Sequence, residues 1–152
     1  DLVGNYRLSD LNASLGSSQL KKINKFIKKK NYIAKFYNNL FKDETKFQIP
    51  KIRKNITHAF HLYPLLVNFK KIGKSKKEIF NQFKKYKINL QVHYIPINTQ
   101  PYYKKKYGVN KNDFKNSLNF YKKEISMPIY FGLTKKQLSY ISKICKKVFN
   151  LK

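Results

Sequence analysis

The chain has 152 residues, 41% of them hydrophobic, and a formal net charge of +27. Twelve Tyr and twelve Phe supply ample apolar area for a core and exclude a disordered chain, which lacks such residues. The charge invites a nucleic-acid reading, but of 34 basic residues only Arg7 and Arg53 are arginine, the side chain suited to bidentate recognition of phosphate or guanine.

The lysines are spread along the whole chain and read mainly as solvated surface, so nucleic acid is not an expected partner. A basic, non-catalytic module for a polyanion stays open as the alternative function. Cys145 stands alone, which excludes an internal disulfide and a thiolate metal cluster and leaves a small buried hydrophobe as its reading. No run of 18 apolar residues crosses a membrane and no apolar signal core stands near the start. The cytoplasm is therefore the expected compartment. The chain starts at Asp1 and opens almost directly on a motif, as a fragment would.

In chain order, Ser9 or Asp10 caps a helix that runs to about Leu20 and on towards Phe41. Leu11, Leu15 and Ile23 set its apolar face, and Ile27, Ile33, Phe36, Tyr37 and Leu40 continue it. Gly16 marks a close helix contact or a break. Residues 42–57 form a polar connector, and 60–69 read as a strand whose Pro64 asks for an edge or a bulge. Ser75 and Glu78 form a capping box for the next helix. Leu90 and Val92 alternate with polar neighbours in a second strand, 88–94. Residues 95–112 read as a long loop, a feature that is often functional. Asp113 caps a further helix, 125–129 is short and extended, and Thr134 caps the last helix. That helix carries a stripe of Leu138, Ile141, Cys145, Val148 and Phe149. The layout predicts an α+β fold: a small sheet covered by helices on one side.

Three constellations carry candidate chemistry. Asn5, Tyr6 and Arg7 stand just before a helix N-terminus, where an amide and a guanidinium can hold an anion. The plainer reading is a local turn and an Arg7–Asp10 ion pair. His58 and His61 sit three apart, with no third ligand at metal spacing, and fit structural hydrogen-bonded groups. His93 and Tyr94 end a strand and lead into a loop with Pro96, Tyr102 and Tyr103, a setting that favours binding sites. The tyrosines offer flat faces to a sugar or base, or else pack as the loop's own rim. There is no Gly-rich phosphate loop, paired carboxylate or catalytic triad.

The run from Asn5 to Ala13 with Leu15-Gly16 and Gln19-Leu20 resembles the helix-opening motif of the DegT/DnrJ/EryC1/StrS sugar aminotransferases. The segments 61–64 (HLYP), 91–97 (QVHYIPI) with 100–103 (QPYY), and 124–128 (EISMP) with Leu133-Thr134 resemble that family's later motifs, in order. His93-Tyr94 with Pro96 leans towards the branch serving pseudaminic acid synthesis. Ser17-Ser18 departs from the family, which keeps an apolar residue there.

The resemblance implies the C-terminal domain of a fold-type I aminotransferase dependent on pyridoxal 5'-phosphate. It implies a small antiparallel sheet packed with helices and preceded by a long helix. Residues 1–41 would be a helical segment linking to a cofactor domain, and 42–152 the small α+β domain. The whole enzyme would be a homodimer with shared active sites. It would move an amino group, from glutamate, to the C4 keto group of a nucleotide-linked 6-deoxy sugar for surface glycan synthesis. By the same resemblance Asn5 and Arg7 would bind cofactor, and Tyr6, His61, Tyr63, His93 and Tyr94 would line or support the sugar-nucleotide pocket. The family's Schiff-base lysine precedes the opening motif, so no residue here is assigned as catalytic and the chain alone should not turn over.

Overall fold

The computed structural model describes residues 6–109 and 113–151. Helix α1 (Asp10–Leu20) opens as expected, with the Ser9 hydroxyl accepting the Asn12 N–H. The predicted long helix divides at Lys21–Lys22, not at Gly16, and resumes as α2 (Ile23–Phe41). The two halves differ sharply. α1 buries nothing, with Leu11 81% and Leu15 61% exposed, so the expected apolar face is absent from this half. α2 buries Ile33, Ala34, Tyr37 and Phe41, one stripe at helical spacing. α1 adds nothing to the core, whereas α2 shares the core of the residues that follow it.

The sheet has three antiparallel strands in the order β1-β2-β3: β1 (Phe47–Gln48), β2 (Tyr63–Val67) and β3 (Glu124–Met127). Tyr63, Leu65 and Val67 alternate inward along β2. Pro64 was expected at an edge, yet β2 is the central strand. β1 reaches only Leu66 and Val67, while Pro64 lies opposite Ser126 of β3. At Pro64 the strand has a single neighbour, so the missing N–H breaks no ladder on the open side.

Helix α3 (Phe69–Ile72) ends at Gly73, whose φ of +72° is a conformation that glycine adopts freely. α4 (Lys76–Lys85) carries the complete Ser75–Glu78 capping box. Hydrogen bonding of the Glu78 carboxyl by the Ser75 side chain, and next by the Ser75 backbone N–H, holds it below its ordinary pKa. The predicted strand over 88–94 is reduced to one bridge, Gln91 to Ser126; two residues on, the His93 N–H bonds the Glu124 side chain in place of a β3 carbonyl. The predicted loop over 95–112 contains a short 3₁₀ turn (Ile97–Thr99) and helix α5 (Pro101–Tyr107), with Pro101 in the first turn, where its missing N–H costs nothing. Helix α6 (Lys115–Lys123) is preceded by Phe114 and has no side-chain cap, so Asp113 does not serve as the predicted cap.

Helix α7 (Lys135–Phe149) has the Thr134 capping box and buries the whole predicted stripe plus Ile144. The Phe149 ring packs 5.0 Å from Phe47, 5.4 Å from Phe83 and 6.2 Å from Phe41, tying α7 to β1, α4 and α2. Burial pushes the Cys145 thiol well above its ordinary pKa, as expected for an inert hydrophobe. Some lysines are structural rather than solvated. Lys46 and Lys74 donate to the Asn150 and Val148 carbonyls at the end of α7, and Lys76 donates to the Tyr121 carbonyl in α6. Among the described residues no helix is long and apolar enough to cross a membrane.

Candidate functional site

The segment after the Gln91 bridge, the 3₁₀ turn, α5 and the start of α6 enclose a cleft of about 580 Å³. That volume suits a small-molecule ligand. Its walls include His93, Tyr94, Asn98, Tyr103, Phe114 and Ser117, so aromatic faces alternate with a few polar groups. Tyr94 is 72% exposed and stands edge-on to the His93 ring at 4.6 Å. The peptide bond joining these two residues is cis. Tyr103 stacks on Tyr107, which presents the α5 side as an aromatic wall. The Asn98 amide nitrogen is buried without a hydrogen-bond partner. A buried unmet donor is costly, and here it belongs to a residue of the cleft wall.

Beneath the cleft lies a polar chain in an otherwise apolar strand. Glu124 and Ser126 point to the same side of β3 and are 1% and 4% exposed. The Ser126 hydroxyl donates to Glu124 Oε1, and the backbone N–H of His93 donates to Glu124 Oε2 at 3.2 Å. His93 Nδ1 lies 2.8 Å from Ser126 Oγ. Burial lowers the pKa of Lys76, and the nearby Glu124 carboxylate opposes that shift by favouring the charged ammonium.

The other expected site residues lie elsewhere. Tyr63 is fully buried, its hydroxyl donating to Asn38 Oδ1 at 2.7 Å, and burial pushes its phenol up in pKa. It faces the core and not the His93 cleft. His61 is exposed, precedes β2, and lines a separate cleft with Ile23, Phe26, Ile27, Tyr130 and Phe131. The Nδ1 of His58 accepts the Phe60 N–H at 3.0 Å, a structural role, beside a third cleft. Tyr6 and Arg7 lie exposed ahead of α1 and line none of these clefts. Asn5 lies outside the described residues. The structure thus brings together His93 and Tyr94 and separates them from His61, Tyr63, Tyr6 and Arg7.

Sequence reading missed Glu124 and Ser126 as site residues. The available signal was a carboxylate two residues before a serine in an apolar strand, which places both on one face. It missed Asn98, Phe114 and Ser117 because 95–112 was read as loop and the helix after it brings the opposite wall.

Residues 2–146 match the DegT/DnrJ/EryC1/StrS aminotransferase family, and the chain belongs to it. It is 38% identical over 122 residues to the spore coat polysaccharide biosynthesis protein SpsC of Bacillus subtilis, covering 80% of this chain and 31% of that protein. It is 36% identical over 141 residues to the UDP-4-amino-4,6-dideoxy-N-acetyl-beta-L-altrosamine transaminase of Campylobacter jejuni, covering 93% of this chain and 37% of that enzyme. Among solved structures it is similar to Helicobacter pylori PseC, an aminotransferase involved in the biosynthesis of pseudoaminic acid. There the TM-score is 0.87 at 31% identity, over 99% of this chain and 40% of the other. The fold is accordingly the α+β C-terminal domain of a fold-type I aminotransferase, with its small antiparallel sheet packed against helices. The chain spans well under half the length of these relatives.

Proposed function

We propose that the protein carrying this chain is an aminotransferase dependent on pyridoxal phosphate. It moves an amino group from glutamate to the C4 keto group of a nucleotide-linked 6-deoxy sugar, and this chain provides the sugar-nucleotide wall of the site. The observation that carries the reading is the aromatic cleft that gathers His93 and Tyr94, in a chain similar to enzymes named for such sugars. The cleft has the mixture a sugar nucleotide asks for: ring faces for the sugar and base, with a histidine for a hydroxyl.

The described residues do not build a cofactor pocket. Arg7 is exposed and lines none of the clefts above. The cofactor, when bound, supplies the electron sink for amino transfer. Arg7 and Asn5 are proposed as its contacts from this chain, across a homodimer interface, and Tyr6 as a sugar-side neighbour. His61, which faces a separate cleft, and Tyr63, which faces the core, do not touch this wall; Tyr63 supports the fold through its hydrogen bond to Asn38.

The test uses the full-length protein and its two half-reactions. His93→Ala should slow amino transfer to the sugar nucleotide by tenfold or more, about 1.4 kcal/mol, and leave the glutamate half-reaction within about twofold. Equal losses in both would remove the sugar-wall assignment.

A second reading has one observation behind it. Lys25, Lys28, Lys29 and Lys135 surround the Tyr32 and Phe131 rings in an open cleft, with Lys25 and Lys29 each 5.5 Å from a ring centre. Four ammonium groups around two rings would seat a polyanion. Binding there would fall steeply with salt.

A further inference from the structure

The hydrogen bonds beneath the cleft have a direction, and that direction fixes the chemistry of the nitrogen facing the ligand. Glu124 accepts at both oxygens, from the Ser126 hydroxyl and from the His93 backbone N–H. Having given its single proton to Glu124, the Ser126 oxygen can only accept from its other neighbour. That neighbour is His93 Nδ1 at 2.8 Å. Nδ1 must therefore carry a proton, and in the neutral ring Nε2 then has a lone pair. Nε2 has no partner among the described residues, and the ring lines the cleft. We infer that Glu124 and Ser126 are positioning residues that hold His93 as the Nδ1–H tautomer, so that the Nε2 lone pair accepts a hydrogen bond from a hydroxyl of the ligand in the cleft.

The ligand class follows from the donor set. An imidazole acceptor beside aromatic walls suits a polyhydroxylated ring, with one hydroxyl donating to His93. Glu124 and Ser126 touch no ligand themselves. They act through the ring, as the partners of a metal-bound histidine set its tautomer from behind. This deepens the sugar-nucleotide reading and rests on it for the identity of the ligand, but the tautomer does not.

The same molecule contains its own control. His58 Nδ1 accepts the Phe60 N–H, so neutral His58 must be protonated on Nε2. The two histidines should therefore be opposite tautomers in one spectrum. The experiment is long-range ¹H–¹⁵N correlation on the full-length protein labelled at histidine, at about pH 8, above the ordinary histidine range. The expected result is a pyrrole-type Nδ1 with a pyridine-type Nε2 for His93, and the reverse for His58. An Nε2–H tautomer at His93 in the wild type overturns the proposal without any variant. Ser126→Ala should shift His93 towards Nε2–H while leaving His58 unchanged. Ser126→Thr, which restores the hydroxyl, should return it. An unmoved His93 in Ser126→Ala overturns the role of Ser126, and Glu124→Gln tests the carboxylate in the same way.

In the full-length protein, Ser126→Ala should raise KM for the sugar nucleotide about 3- to 10-fold and leave the glutamate half-reaction unchanged. If the tautomer shifts as expected but the glutamate half-reaction suffers instead, the relay stands and the sugar-wall reading fails. If KM holds and both half-reactions slow together, the residues are merely structural.

Discussion

Helices α1 and α7 are both marked in the sequence by a capping residue and by leucines or isoleucines at helical intervals, yet they have opposite fates. α7 buries six side chains, whereas α1 buries none. The difference lies in the period. The α7 stripe runs through Leu138, Ile141, Cys145, Val148 and Phe149 without a gap, and it meets rings from α2, β1 and α4. α1 has Leu11 and Leu15, then Gly16-Ser17-Ser18, so its stripe stops after one turn. A cap can start a helix, but only a sustained face makes it part of a core. The cap and the motif belong to α1; the stability belongs to α7.

The sharpest way to break this contrast is to delete matched apolar groups. Phe149→Ala should cost about 3–5 kcal/mol in chemical denaturation, since it empties the meeting point of three rings. Leu11→Ala, on an 81% exposed residue, should stay within about 0.5 kcal/mol. Similar costs for the two would show that α1 is packed after all.

Next in size is Tyr63→Phe, which removes the hydrogen bond to Asn38 while keeping the packed ring. A loss of about 1–2 kcal/mol in stability is expected, because Asn38 is left with an unmet acceptor. The sugar-nucleotide KM should change little, and a large rise would return Tyr63 to the site wall. Thr134→Ala should cost about 1 kcal/mol through the lost α7 cap. Ser9→Ala should leave global stability nearly unchanged and only speed amide exchange in α1.

The smallest effect is alkaline. The folded Cys145 thiol has its pKa raised by burial from an ordinary value of 9.0. Folding therefore retains a proton that the unfolded chain releases above about pH 9, so stability is full below that pH and declines as pH rises further. Tyr37, raised by burial in the same direction from 10.0, steepens the decline above its own ordinary value. In Cys145→Ala the decline should begin later and be shallower. An unchanged alkaline limb would mean the thiol ionises as easily folded as unfolded.

Local signals were legible in the sequence and long-range ones were not. The capping boxes at Ser75 and Thr134, the α7 stripe and the α+β layout all follow from residues within a few positions of one another. Pro64 argued for an edge, and the argument held only locally, because the partner strand β1 is two residues long. The strand expected at 88–94 depended on a ladder that β3 offers at one position only. Of the candidate site, His93 and Tyr94 were visible as a polar pair at an irregular junction. The Glu124–Ser126–His93 chain was not, since it joins residues 31 and 33 positions apart. His61 and Tyr63 looked like members of the same site because the family motif strings them together, yet one points outward to another cleft and the other into the core.

The most direct measurement is a crystal structure of the full-length protein with UDP-N-acetylglucosamine as the probe. The sugar ring is expected against His93 and Tyr94, with a hydroxyl donating to His93 Nε2. The same ligand seated among Lys25, Lys29 and Phe131, with nothing at His93, would contradict it and turn the basic surface into the functional one.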